Sequence, residues 1–180
     1  MLQLTIPTVE LFNEETQEFV SVEGQTLQLE HSLVSLSKWE SKWNKAFLSR
    51  EEKTYEETLD YIQCMTITKN VKPEVYDCLT GDQIKQINSY IEAPMTATVF
   101  SQDPHGKAGR EIITSELIYY WMISLQIPFE CEKWHLNRLL TLIKVCSIKN
   151  APPKKMSKGA TMKQYAALNA ARRQKYNSKG

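Results

Sequence analysis

Three histidines, four cysteines and one run of carboxylates are the residues here best suited to chemistry. His31, His105 and His135 stand apart in the chain, and none belongs to an H-E-x-x-H pair or a similar metal-ligand spacing. His105-Gly106-Lys107 offers a contact to an anion, but an exposed histidine in a polar loop is the simpler reading. Cys64, Cys78, Cys131 and Cys146 are widely spaced with no CxxC, and Cys131 with His135 supplies only two ligands, too few for zinc. The cysteines therefore read as reduced core thiols, as expected of a cytoplasmic chain. Glu51, Glu52, Glu56, Glu57 and Asp60 suggest a metal or acid–base site. They surround a helix start, where negative charge is stabilised by free N–H groups, so a solvated face is the favoured account.

Other catalytic patterns are missing from the sequence. It contains no G-x-S-x-G elbow, no Walker lysine loop and no dinucleotide glycine fingerprint, and it has only six glycines. The expectation is a chain that is not an enzyme, has no catalytic or metal-binding residues and needs no cofactor.

The elements that would position any site follow from periodicity. Leu2, Leu4 and Ile6 alternate with polar residues, as in a half-buried strand. Residues 9–12 and 19–22 flank a polar hairpin connection, and Gly24 turns the chain into Thr26, Leu27 and Leu29. Leu33, Leu36, Trp39 and Trp43 recur at helical spacing. Thr54-Tyr55-Glu56-Glu57 has the form of a capping box opening a helix to about Met65, with Glu56, Asp60 and Gln63 towards water. Pro73 opens a short helix, and Thr80 starts another that Pro94 ends. Residues 95–100 read as a strand and 101–110 as an exposed loop. A helix capped by Thr114 or Ser115 is apolar nearly all round, which favours a central core helix. A last core helix spans about 133–149, with Leu136, Leu139, Leu140 and Ile143 inward.

The predicted fold is α+β and predominantly helical. A small antiparallel sheet (1–30) packs on a bundle of about five helices (31–150), and a basic tail (151–180) follows Pro152-Pro153. Apolar residues make up 42% and charged residues 24% of the 180, which suits an ordinary soluble protein. The N-terminus lacks the pattern of a secretory signal, and no apolar stretch is long enough to cross a bilayer. The net charge of +1 conceals a division. Residues 144–180 hold ten Lys or Arg and no acid, while residues 1–143 hold 12 basic and 21 acidic residues, a net of −9. Lys154, Lys155, Lys158, Lys163, Arg172, Arg173 and Lys175 carry most of the tail's charge. The dense runs of a strong nucleic-acid arm are missing, so docking on an acidic protein surface or a solubilising extension is favoured over nucleic acid.

Several strings resemble the tail assembly chaperones of long-tailed bacteriophages. They are Leu33-Val34-Ser35-Leu36-Ser37-Lys38-Trp39-Glu40-Ser41-Lys42-Trp43 with Phe47-Leu48, and Lys53-Thr54-Tyr55-Glu56-Glu57-Thr58-Leu59-Asp60-Tyr61-Ile62. Further similarity lies in Ile112-Ile113-Thr114-Ser115-Glu116, Tyr119-Tyr120-Trp121-Met122 and Trp134-His135-Leu136-Asn137-Arg138-Leu139-Leu140. In the tail it continues through Pro152-Pro153-Lys154-Lys155 and Ala167-Leu168-Asn169-Ala170-Ala171-Arg172-Arg173. The resemblance runs from about Glu30 onward. It implies a non-enzymatic protein of the infected bacterial cytoplasm that binds the tape measure protein, keeps it soluble and recruits tail-tube subunits. No catalytic residues come with it. The expected contact residues are Trp39, Trp43, Tyr119, Tyr120, Trp121, Met122 and Trp134, because aromatics and Met are enriched at protein interfaces. Self-association is a further partner expectation, and no membrane partner is expected. A tail or connector subunit of the virion is the runner-up, and a nucleic-acid-binding protein acting through the tail comes third.

Overall fold

Alternating apolar residues place one side of strands β1 (Leu2–Ile6) and β4 (Gln25–Leu29) in the interior. The two pair antiparallel, with Leu2 opposite Leu29 and Leu4 opposite Leu27. Between them in the chain, β2 (Val9–Asn13) and β3 (Glu18–Val22) form a second antiparallel ladder. The small sheet is therefore two nested ladders, broken from each other where Pro7 lacks an N–H and where Gly24 sits. The Gly24 N–H donates to Thr8 Oγ1 at 3.0 Å. The computed structural model describes residues 1–13, 17–100, 112–152 and 158–177.

The described helices are α1 (Leu33–Trp43), α2 (Tyr55–Met65), α3 (Glu74–Asp77), α4 (Gly81–Glu92), α5 (Ser115–Ser124), α6 (Leu136–Asn150) and α7 (Lys158–Tyr176). A short 3-10 helix, Phe129–Lys133, precedes α6. The fold is α+β and predominantly helical, with seven α-helices among the described residues. Hydroxyl caps set the starts. Ser32 with Ser35, Thr54 with Glu57 and Thr80 with Gln83 each form a reciprocal capping box, and Thr114 caps α5. Helix α1 ends at Asn44, whose left-handed φ of 53° lets its N–H bond the Glu40 carbonyl.

The strand expected at 95–100 does not form. Met95 has a φ of 49°, which is incompatible with extended pairing, and no strand lies beside the segment among the described residues. The exposed loop expected at 101–110 lies outside the described residues, as does most of the hairpin connection at 14–16.

Two cores hold residues 1–148, which form one compact unit; residues 149–180 form another. The first core joins Leu4, Ile6, Leu27 and Leu29 of the β1–β4 ladder to Tyr61, Ile62 and Met65 of α2 and Ile87 of α4. The strands thus share their interior with the helices. The second core joins Leu33 and Leu36 of α1 to Ile118 and Met122 of α5 and to Leu136, Leu139 and Ile143 of α6. Backbone bonds continue the ladder into α2's exit: Glu30 N–H to the Met65 carbonyl at 2.9 Å and Ile67 N–H to the Gln28 carbonyl at 2.8 Å.

Gly24 lies where the two ladders meet. A Cβ there would approach Thr8 N at 2.8 Å and Ile6 O at 2.9 Å, both backbone atoms that cannot rotate away. Gly24→Ala is expected to destabilise the fold by about 1–3 kcal/mol through overpacking. Urea unfolding curves would show this as a lower midpoint with an unchanged slope.

Candidate protein-binding surface

Of the residues expected to contact a partner, Trp39 is the furthest from doing so. It is 1% exposed, and its indole N–H donates to the Glu57 carbonyl at 2.8 Å. Phe47 and Tyr61 meet it edge-on, with centroids 5.1 and 6.5 Å away. Helical periodicity faces Trp39 into the first core, so it is a packing residue. Trp43, stacked on it at 6.2 Å, is half-buried and donates its indole N–H to Asp60 Oδ2 at 2.9 Å.

That bond corrects the reading of Asp60 as solvent-facing. Asp60 is buried, where Trp43 and the Lys42 ammonium satisfy its oxygens. Glu57 is buried too: Lys45 pairs with Oε1, and the Thr54 N–H bonds Oε2 at 2.8 Å. The Lys45 ammonium, followed by the Thr54 N–H, holds the Glu57 carboxyl below its ordinary range. Glu51, Glu52 and Glu56 stay exposed. The acidic run therefore combines a solvated rim with two buried structural carboxylates. Among the described residues no group of three or more His, Cys, Asp or Glu is placed to hold a metal ion. A third buried carboxylate, Glu40, accepts from the Phe47 N–H at 2.9 Å and the Ser115 N–H at 2.7 Å. It thereby fixes the start of α5 against α1.

His31 and His135, far apart in sequence, are partners in space. Both are buried, with ring centroids 5.1 Å apart. The Tyr61 hydroxyl meets His31 Nδ1 at 2.5 Å. His135 uses both nitrogens: Nδ1 accepts from the Asn137 N–H at 3.3 Å, and Nε2 lies 3.0 Å from the Tyr90 carbonyl, to which it donates. Burial, reinforced by the neighbouring His135, pushes His31 down to about 3, and burial also lowers His135. Burial raises the Tyr61 phenol, so the His31–Tyr61 pair stays neutral across the ordinary pH range. These imidazoles are structural, and His105 lies outside the described residues. The four cysteines are free, and burial raises the thiols of Cys78, Cys131 and Cys64, the last to about 11, which suppresses the reactive thiolate.

Helices α5 and α6 carry exposed apolar groups of their own, Tyr120, Ile123 and Ile148. Helix α5 is not the enclosed core helix its composition suggests. Ile118 and Met122 are buried, but Tyr120 and Ile123 are 63% and 62% exposed. Met122 is therefore a core residue and not a contact. Trp121 is half-buried and, with Leu125, Leu140, Ile143 and Ile148, lines a surface groove of about 300 Å³ between α5 and α6. Tyr119 donates its hydroxyl to Glu132 at 2.9 Å, and burial followed by that carboxylate pushes the phenol up to about 12. Trp134, also half-buried, carries the Arg138 guanidinium 4.2 Å from its ring centroid. Periodicity had put Leu140 and Ile143 inward. Leu125, Phe129 and Ile148 are surface members beyond the expected contact residues, and the spacing of Glu116, Tyr120 and Ile123 is a sequence signal of the outward face on α5.

In the second unit, Lys158 opens α7, and Lys163, Arg172, Arg173 and Lys175 are exposed along it. Lys154 and Lys155 lie outside the described residues. No described helix is long and apolar enough to cross a membrane. Comparison with protein-family models, curated proteins and solved structures finds no match to this chain.

The buried imidazoles carry a pH dependence. His31 binds a proton near 6.5 when unfolded but only near 3 when folded, so the unfolded state takes up protons first. Its contribution is complete above the unfolded value and is lost as pH falls towards the folded one, about 2 kcal/mol of it by about pH 5. His31→Gln, which keeps an acceptor for Tyr61, is expected to be less stable near neutrality but to lose less stability between about pH 7 and pH 5. Denaturation midpoints of both proteins at the two pH values measure the difference in slope.

Proposed function

We propose that this chain is a non-enzymatic tail assembly chaperone of a long-tailed bacteriophage. It acts in the host cytoplasm, binds the tape measure protein, keeps it soluble and helps recruit tail-tube subunits. The observation that carries the reading is the α5–α6 groove, with Trp121 at one side and Leu140, Ile143 and Ile148 at the other. A tape measure protein is long and helical, and each apolar stripe along it repeats at three- and four-residue spacing. An amphipathic helix places such a stripe into an apolar groove, anchored by i, i+3 or i+4, and i+7 side chains. Trp121 has the form of an anchor: a large aromatic, partly covered, on the α5 side of the lining. The Lys144 ammonium in the lining offers a cation to carboxylates on the polar flank of the bound helix. The buried polar groups support the same reading, since His31, His135, Glu40, Glu57 and Asp60 are bound to neighbours that hold the fold together.

Co-expression with the tape measure protein of the same phage tests this. The full chain is expected to keep the tape measure soluble and to co-purify with it. Trp121→Ala is expected to weaken capture by about 30-fold, the effect of losing roughly 2 kcal/mol at an interface anchor. Ile148→Glu, at an exposed position in the groove, should weaken capture without unfolding the protein. A well-folded chain that gives no rescue and is found in purified particles by mass spectrometry would instead be a virion subunit.

A further inference from the structure

Helix α7 is 19 residues long and presents an unpartnered apolar face. Met162, Tyr165, Leu168 and Tyr176 are all exposed. At 3.6 residues per turn they fall within an arc of about 120°, with Arg172 inside it and Arg173 at its edge, while Ala167, Ala170 and Ala171 lie on the other side. Residues 149–180 carry nine cations and no acid, against a net of −8 on residues 1–148. A partner for this face must be apolar and acidic together.

The first unit has a surface of that kind. Glu116, Tyr120 and Ile123, all exposed, form one stripe of α5 at i, i+4 and i+7. Phe129 and Glu130 are exposed in the 3-10 helix that follows, and the Phe129 ring lies 6.4 Å from that of Tyr119, beside the stripe. This face is on the far side of α5 from Trp121 and Leu125, so it is separate from the groove assigned to the tape measure protein.

We propose that the outer face of α5 receives α7 of a second copy of this chain. Arg172 and Arg173 meet Glu116 and Glu130, while the α7 tyrosines, Met162 and Leu168 cover Tyr120, Ile123 and Phe129. A reciprocal exchange closes as a two-fold dimer in which the contact is made twice. Nucleic acid matches less well. Phosphates would satisfy the cations but leave Met162 and Leu168 uncovered.

Light scattering after size exclusion, over a concentration series at low and high salt, reads the outcome. The full chain is expected to reach twice its monomer mass and to return towards monomer in high salt, because exposed ion pairs are screened. Arg172→Glu with Arg173→Glu should give a monomer, and so should Glu116→Arg with Glu130→Arg. Mixing the two charge-swapped proteins should restore association. Glu130→Arg alone, which leaves the α5 N-terminus intact, guards against misfolding as the cause, with circular dichroism as a check on every variant. Larger assemblies that respond to the same swaps also support the contact, in an open head-to-tail form. A monomer at every concentration overturns the proposal, as does a dimer insensitive to the swaps. A monomer that retains single-stranded DNA through α7 overturns it in favour of nucleic acid.

Discussion

The hydrogen bond from the Leu136 N–H to the His31 carbonyl, at 2.7 Å, joins the start of α6 to the start of α1. Ser32 and His135 form an isolated antiparallel bridge at the same place. Everything else in residues 1–148 is arranged around this clasp, because α1 serves two cores. Its Leu33 and Leu36 belong with α5 and α6, while Trp39 belongs with the strands and α2. A helix can face two interiors only if the chain entering it is fixed in rotation, and a single residue's slip would turn Trp39 out of its core. The clasp supplies that constraint. The His31 and His135 rings meet edge-on at the clasp, and their nitrogens meet Tyr61, Tyr90 and Asn137. The imidazoles whose protonation burial opposes therefore lie at the clasp itself.

Buried charge does the same work elsewhere. Glu40 ties α1 to Phe47 and to the first residue of α5; Glu57 closes the cap of α2 and pairs with Lys45; Asp60 bonds Trp43 and Lys42. Removing one partner from such a group leaves an uncompensated buried charge, which costs far more than the pair itself contributes. These carboxylates consequently fix geometry more than they add stability. They determine that α1, α2 and α5 meet in one arrangement, and so where the α5–α6 groove opens.

Most helices were legible because their signals are local. Thr54 with Glu57, Thr80 and Thr114 mark helix starts through side chains three residues from the N–H groups they satisfy. The alternation of Leu2, Leu4 and Ile6 was equally local. What the sequence did not reveal depends on long-range contact. Asp60 has the periodicity of a surface position, and only the indole of Trp43, brought alongside by the α1–α2 packing, makes its burial tolerable. His31 and His135 look unrelated until two turns of chain converge. Trp39 and Tyr120 are both aromatic and amphipathic helix residues, and composition alone cannot tell a core ring from a surface one. Their burial separates them: Trp39 has cores on its side of the helix, whereas Tyr120 lies on the side of α5 that has none.

A small set of buried polar side chains is threaded through two apolar cores, and each is held by its neighbours. Catalytic groups need an open position beside a reacting atom and a pKa poised for proton transfer. Here burial drives His31 and the Cys64 thiol away from neutrality in the directions that favour their uncharged forms. The exposed face of α5, the groove beside it and the cationic α7 offer the opposite qualities: apolar area, shallow relief and charge that acts over distance. On surfaces of this kind, recognition rests on a few apolar anchors and electrostatic steering more than on a deep pocket. The outer stripe of α5 and the groove lie on opposite sides of one helix, so the two contacts proposed for them do not compete for the same surface.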